Sequence, residues 1–231
     1  MMKKRYIIFD FDGTLANTND IIVASWQATF EKYLGYSMSV REIEATFGEI
    51  LVNTIGRLIP EAPVDEVVDY YRAYQNSHQQ DYEVYVFEGI RELLEQLRAR
   101  GCIIGVGTSR TSYSFWNYMK KLEMDQLVDE VVTMNDVTSH KPDPETIDAV
   151  LKKMMVYAGE AFDDDSGIPD SVRNAAIMIG DTKYDIGCAN NARVDSVMVG
   201  WSHYVDEEAM LAEGFVPTYR MDRPEQILEI I

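Results

Sequence analysis

Asp10 and Asp12 are separated by one residue and followed by Gly13, at the end of the apolar run Tyr6-Ile7-Ile8-Phe9. In an extended chain residues i and i+2 point to the same side, so carboxylates at this spacing can converge on one ligand while the glycine lets the backbone turn away. Similar endings recur later. The apolar run Cys102–Gly107 closes on Thr108-Ser109-Arg110, and Ala175–Ile179 runs into Gly180-Asp181-Thr182. Lys141 stands in a loop just before a proline-opened helix. Taken together, two metal-binding carboxylates (Asp10, Asp181), a hydroxyl, an ammonium and helix N-termini are the donors that a phosphoryl group and a hard divalent cation, Mg²⁺ above all, require. Each residue also has an ordinary reading: Asp-Gly ends a strand, Thr108 caps a helix, Asp181 sits in a turn and Lys141 is solvated. The chemical reading depends on their recurrence at successive strand ends.

Those ends must be brought to one place. From about Thr18 to Gln80 the apolar residues have helical spacing, with Ile22, Trp26 and Phe30 four apart and Val67, Tyr70, Tyr71 and Tyr74 forming another stripe. Ser39 with Glu42 predicts a capping box opening a short helix through Ala45, and Pro60 and Pro63 separate two further helices. This block predicts a small four-helix bundle inserted after the first strand. After it, helix and strand alternate. Helices are predicted over Glu88–Arg100, after Arg110 through Leu122, from an Asp143 N-cap with Pro144 at the first helical position, and after Thr182 to about Ala192. Strands are predicted at Cys102–Gly107, Val128–Thr133, Ala175–Ile179 and Ser196–Val199. Alternation of this kind implies right-handed crossovers and a parallel sheet covered on both faces, in which ligands bind at the carboxyl ends of the strands. Asp10, Asp12, Thr108, Ser109 and Asp181 all fall there.

Composition narrows the partners. The chain of 231 residues carries 39 acidic against 21 basic side chains, a net charge of −18. Nucleic acid and anionic membrane surfaces, both of which select clustered Lys and Arg, are therefore not expected partners. An anionic substrate would meet an opposing field, so its site needs local cations, here Lys141 and a metal. The apolar run near the N-terminus is too short for a signal-peptide core and no stretch reaches the length of a membrane span, so a cytoplasmic location is expected. Cys102 and Cys188 are expected as buried free thiols. Oligomeric state has no signature in the sequence.

The chain resembles the haloacid dehalogenase superfamily of phosphohydrolases. The family's first motif, Asp-x-Asp-Gly-Thr-Leu, matches Asp10–Leu15; its second, a Thr or Ser closing an apolar strand, matches Thr108; its third, Lys before Pro, matches Lys141-Pro142; its fourth matches Gly180-Asp181-Thr182-Lys183-Tyr184-Asp185. The resemblance spans nearly the whole chain and, through the helical block, resembles phosphoglycolate-phosphatase-like and β-phosphoglucomutase-like members with a small α-helical cap. It implies a Rossmann-like α/β core over residues 1–16 and 86–231 and an inserted cap over 17–85. It further implies that Asp10 attacks phosphorus to form an aspartyl-phosphate, and that Asp12 first protonates the leaving group and then deprotonates the attacking water. Mg²⁺ would be held by Asp10, the Asp12 carbonyl and Asp181, with Asp185 adjoining or joining them, while Thr108, Ser109 and Lys141 hold the phosphoryl oxygens.

Asp12 sets the chain apart from dehalogenase-type members, which lack this second aspartate. The implied activity is hydrolysis of a small phosphorylated metabolite; a phosphosugar mutase and a phosphate-binding module without turnover are the alternatives. Substrate choice would rest with the cap, where Glu49, Asn53 and Arg57 are candidates, and Tyr82–Phe87 would form its return hinge. Two features depart from the family pattern. Ala192-Arg193 stands where a small residue and glycine are usual, and the acidic stretch Glu160–Asp170 is long, with a solvated surface excursion as the expectation.

Overall fold

The computed structural model describes residues 4–160, 167–202 and 207–231; residues 161–166 of the acidic stretch lie outside the described residues. The chain divides into two compact units, Met1–Ala16 with Val86–Ile231, and Asn17–Tyr85.

The first unit begins with β1 (Tyr6–Phe9), buried along its whole length. Such an uninterrupted apolar strand is what a parallel sheet covered on both faces needs. The chain leaves this unit through β2 (Ala16–Asn17) and, after the helices of the second unit, returns through β3 (Tyr85–Val86), which pairs with β2. The second unit consists of α1 (Asn19–Leu34), α2 (Val40–Glu44), α3 (Leu51–Leu58) and α4 (Val64–Ser77). The apolar stripes read from the sequence meet inside it in part: Trp26, Phe30, Ile43, Ile55, Ile59, Val67, Val68 and Tyr71 form one core, with the Trp26 ring 5.2 Å from Phe30 and 5.0 Å from Tyr71, whereas Tyr70 and Tyr74 of the second stripe are half-buried outside it. The Ser39–Glu42 capping box is present; the Ser39 N–H donates to Glu42 at 2.9 Å and the Glu42 N–H to Ser39 Oγ at 3.4 Å.

The first unit resumes with α5 (Ile90–Ala99), β4 (Ile103–Gly107), α6 (Ser112–Lys121), β5 (Glu130–Val132), α7 (Glu145–Tyr157), α8 (Asp170–Asn174), β6 (Ala176–Gly180), α9 (Lys183–Ala192), β7 (Asp195–Val199), α10 (Glu207–Ala212) and β8 (Tyr219–Met221), and closes on a 3₁₀ helix at Pro224–Glu229. Six strands form one parallel sheet in the order β5-β4-β1-β6-β7-β8. The order places β1 at the centre. The chain builds outward on one side through β4 and β5, then on the other through β6, β7 and β8. The reversal falls beside β1, which is where an open α/β sheet leaves a crevice for a ligand.

Several boundaries differ from the sequence reading. The helix expected to have Asp143 as N-cap starts at Glu145, although Asp143 Oδ1 does accept the Glu145 N–H at 2.9 Å as a capping carboxylate should. The short helices α8 and α10 have too few residues to show a period in sequence. Arg193, in the place where glycine is usual, takes the left-handed conformation itself, with φ of 57°. The turn geometry is thereby kept, at a cost of about 1 kcal/mol for a residue with a Cβ. Cys102 and Cys188 are buried and free. Among the described residues no helix is long and apolar enough to cross a membrane.

Packing of α7 on the sheet depends on Gly105 in β4, where an added Cβ would lie 2.5 Å from Val150 Cγ1 and 2.9 Å from Met154 Sδ. Gly105→Ala is expected to destabilise the protein by about 2 kcal/mol, because both neighbours belong to a filled core. Urea unfolding checks this; a loss below about 0.5 kcal/mol would mean that α7 yields freely.

Candidate active site

β4, β1 and β6 end level with one another, Phe9 pairing with Val106 on one side and Ile179 on the other. Thr108, Asp10 and Asp181 therefore leave the sheet at the same edge. Asp10, Thr108, Lys141, Asp181 and Asp185 are all buried, whereas Ser109 is half-buried.

Lys141 joins two of the acids. Its Nζ donates to Asp10 Oδ1 at 2.8 Å and to Asp185 Oδ1 at 2.6 Å. Asp185 is placed by the start of α9, where its Oδ2 accepts from the N–H of Thr182 at 3.0 Å and from Thr182 Oγ1 at 2.7 Å. Asp181 is held from another direction: Ser202 Oγ donates to its Oδ2 at 2.8 Å and Thr14 Oγ1 to its Oδ1 at 3.3 Å. Gly13 is required twice over here. Its φ is +72°, and an added Cβ would stand 1.9 Å from Asp181 Oδ2.

One carboxylate oxygen from each of Asp10, Asp181 and Asp185 lies within 4.8 Å of the other two. Three buried acids facing one ammonium leave excess negative charge in a place with little water, and their oxygens are hard donors. This set fits a divalent cation that prefers oxygen ligands.

The titration behaviour has the same origin. Burial pushes Asp10 up to about 7, with Asp185 and Asp12 adding to the shift and Lys141 opposing it. Burial, then Asp185 and Asp10, raise Asp181 well above the usual carboxylate range, while the Ser202 hydrogen bond works the other way. For Lys141 burial disfavours the charge, but the carboxylates of Asp10 and Asp185 outweigh it and hold the ammonium protonated.

A carboxyl that titrates higher folded than unfolded favours the folded state below its unfolded pKa near 4, and that stability is lost as pH rises through about 7. A divalent cation held by these oxygens would bind the cluster in its deprotonated form. The rise in melting temperature caused by Mg²⁺ should therefore be small at pH 5 and larger by several degrees, roughly, at pH 7.5. Thermal scans with Mg²⁺ and with EDTA test this; an increment independent of pH would show that the buried acids do not take up the ion.

Asp12 is turned toward a different partner. Arg110 Nε donates to its two oxygens at 2.9 and 2.7 Å, and Arg110 Nη2 donates to Oδ1 at 2.6 Å. Arg110 was not among the residues singled out by sequence, although it directly follows Thr108-Ser109. Thr14 and Ser202 were missed too. Ser202 carries no sequence signal, because it reaches Asp181 only through the fold.

Glu49, Asn53 and Arg57 belong to the second unit. Arg57 Nη2 donates to Glu49 at 2.8 and 2.7 Å and Thr54 Oγ1 donates to the same carboxylate at 2.7 Å, whereas Asn53 lies exposed on α3. Glu49 and Arg57 thus form an ion pair with each other.

A sequence profile of haloacid dehalogenase-like hydrolases matches residues 7–199. The chain is 33% identical to "Putative pyrophosphatase PpaX" of Caldanaerobacter subterraneus over 100% of its own length and 96% of that protein's. It is 29% identical to pyrophosphatase PpaX of Bacillus mycoides, over 100% and 98% of the two chains. In fold it is similar to a haloacid dehalogenase-like family hydrolase of Streptococcus pneumoniae, with a TM-score of 0.77, 23% identity and 99% of each chain covered. The sheet, the acids at its edge and these matches make the chain a member of the haloacid dehalogenase-like hydrolase family.

Proposed function

We propose that the chain is a Mg²⁺-dependent phosphohydrolase that cleaves a small phosphorylated compound in two steps through an aspartyl-phosphate on Asp10. The observation that carries this reading is the buried cluster of Asp10, Asp181 and Asp185 bridged by Lys141 at the switch point of the sheet. In the first step an Asp10 oxygen bonds to phosphorus, the bond from phosphorus to the leaving oxygen breaks, and Asp12 supplies a proton to that oxygen where it needs one. In the second, water displaces the phosphoryl group from Asp10 and Asp12 takes the water's proton. Lys141, Thr108 and the backbone N–H of Ser109 would hold the phosphoryl oxygens. Asp10, Asp181, Asp185 and the Asp12 carbonyl would hold Mg²⁺. When bound, the ion supplies positive charge that lets the carboxylate and the phosphoryl anion approach each other.

Two full-length relatives bear the name pyrophosphatase, which favours pyrophosphate over a phosphate monoester such as phosphoglycolate as the substrate. Residues 17–85 select the substrate in this reading, with Glu49, Asn53 and Arg57 as the side chains to vary. The test is phosphate release from pyrophosphate, phosphoglycolate, hexose phosphates and p-nitrophenyl phosphate, with Mg²⁺ and with EDTA. Mg²⁺-dependent release, fastest on pyrophosphate, is expected. Fastest release from a monoester would overturn the substrate assignment, isomerisation of a hexose phosphate without release would indicate a mutase, and no turnover on any member would indicate a binding module.

A further inference from the structure

Arg110 has no task in the reactions above, yet its setting is built. Its side chain is 8% exposed. Three N–H contacts from Nε and Nη2 reach Asp12, while on the other side Nη1 donates to Ser114 Oγ at 2.7 Å. The guanidinium carbon lies 4.6 Å from the centre of the Tyr118 ring and 5.7 Å from that of Phe11. Its backbone is pinned as well, the N–H donating to Thr108 Oγ1 at 3.2 Å and the carbonyl accepting from Met134 N–H at 2.9 Å. The guanidinium is therefore fixed by α6 and by the end of β4 independently of Asp12. An exposed pair of flexible side chains imposes little direction on either. A planar fork locked by packing does impose direction, because a carboxylate meets it edge-on through both oxygens.

We infer that Arg110 is a positioning residue that fixes the orientation of the Asp12 carboxylate, the group assigned above to proton transfer. The inference rests on the proposed roles of Asp10 and Asp12. In the second step the water oxygen bonds to phosphorus, the bond between phosphorus and the Asp10 oxygen breaks with its electron pair returning to the Asp10 carboxylate, and the water's proton passes to Asp12. The transfer needs Asp12 within hydrogen-bond reach of that water, about 2.6–3.2 Å, and a carboxylate rotating freely on a loop satisfies this only part of the time.

p-Nitrophenyl phosphate separates the two steps, since p-nitrophenolate leaves without a proton while the second step still calls on Asp12. With the full chain and Mg²⁺, Arg110→Ala should lower steady-state turnover roughly 10²-fold and slow the first turnover by no more than about threefold. Rapid mixing should then show a burst approaching one p-nitrophenol per protein, and acid quenching should trap the phosphorylated protein. Asp12→Asn should behave in the same way. Arg110→Lys keeps the charge but loses the fork, so it should show the burst too, and it carries the test if the alanine variant does not fold. Equal slowing of both steps without a burst, or wild-type behaviour of the lysine variant, would overturn the inference and leave Arg110 as a counter-charge. No turnover by the parent chain would overturn the reading of Asp10 and Asp12, and the inference with it.

Discussion

Asp10→Asn should abolish turnover, by on the order of 10⁴-fold or more, and at the same time raise the melting temperature of the metal-free protein. The first half follows from chemistry: an amide oxygen is too weak a nucleophile toward phosphorus, and Asp185, the other acid that contacts Lys141, stands on α9 and not at the end of β1. The second half follows from electrostatics. Asp10 is buried, faces Asp185 and Asp181 within 4.8 Å, and is pushed up to about 7. At neutral pH, part of the folding free energy is therefore spent on confining that charge, and an amide of the same shape removes the repulsion. Lys141 retains Asp185 at 2.6 Å and is not left unpaired. The stabilisation should shrink toward pH 5, where Asp10 is protonated in the folded protein, and the melting-temperature increment from Mg²⁺ should fall. Turnover assays with thermal scans in EDTA and in Mg²⁺ measure both halves. Retained Mg²⁺-dependent turnover would remove Asp10 from the nucleophile's role, and a lower melting temperature in EDTA would show that its contact with Lys141 outweighs the repulsion.

Lys141→Ala is expected to act in the opposite direction on stability. The Lys141 side chain is 3% exposed and its ammonium is the cation that touches both Asp10 and Asp185. Deleting one member of a buried ionic cluster leaves the others without compensation, a loss of about 3–5 kcal/mol when nothing replaces it. A bound divalent cation would supply part of the missing charge, so the deficit measured by urea unfolding should be larger in EDTA than in Mg²⁺. Turnover should fall roughly 10²- to 10³-fold even with the metal bound, because the ammonium would face oxygens that gain charge in the transition state. A variant as stable as the parent in EDTA would mean that the acids take up protons in place of the ammonium. A variant with full turnover would exclude Lys141 from the phosphoryl site.

That polar residues gather at one edge of the sheet was legible because the signals are local. Tyr6–Phe9, Ile103–Gly107 and Ala176–Gly180 are short, apolar and closed by polar residues, and in a parallel sheet equal ends become one edge without further information. The helical stripe through Trp26 and Phe30 was legible for the same reason, since period and burial are written into adjacent turns. Boundaries set by one or two hydrogen bonds, such as the start of α7, and helices of five or six residues, such as α8 and α10, had too few residues to leave a period.

The sequence by itself determined the longer helices and the strands of the main sheet and which of their ends carry oxygen, hydroxyl and ammonium groups, because spacing and side-chain type act over a few residues. The tertiary structure decided how those groups pair. Arg110 meets Asp12 across 98 positions, Lys141 meets Asp10 across 131, and Ser202 meets Asp181 through a loop that no periodicity marks. It also decided that Glu49 and Arg57 satisfy each other and that Gly13 yields its space to Asp181. Charge pairing and close approach are properties of distance in space, and in this chain the distances that matter are set by strands assembled from opposite ends of the sequence.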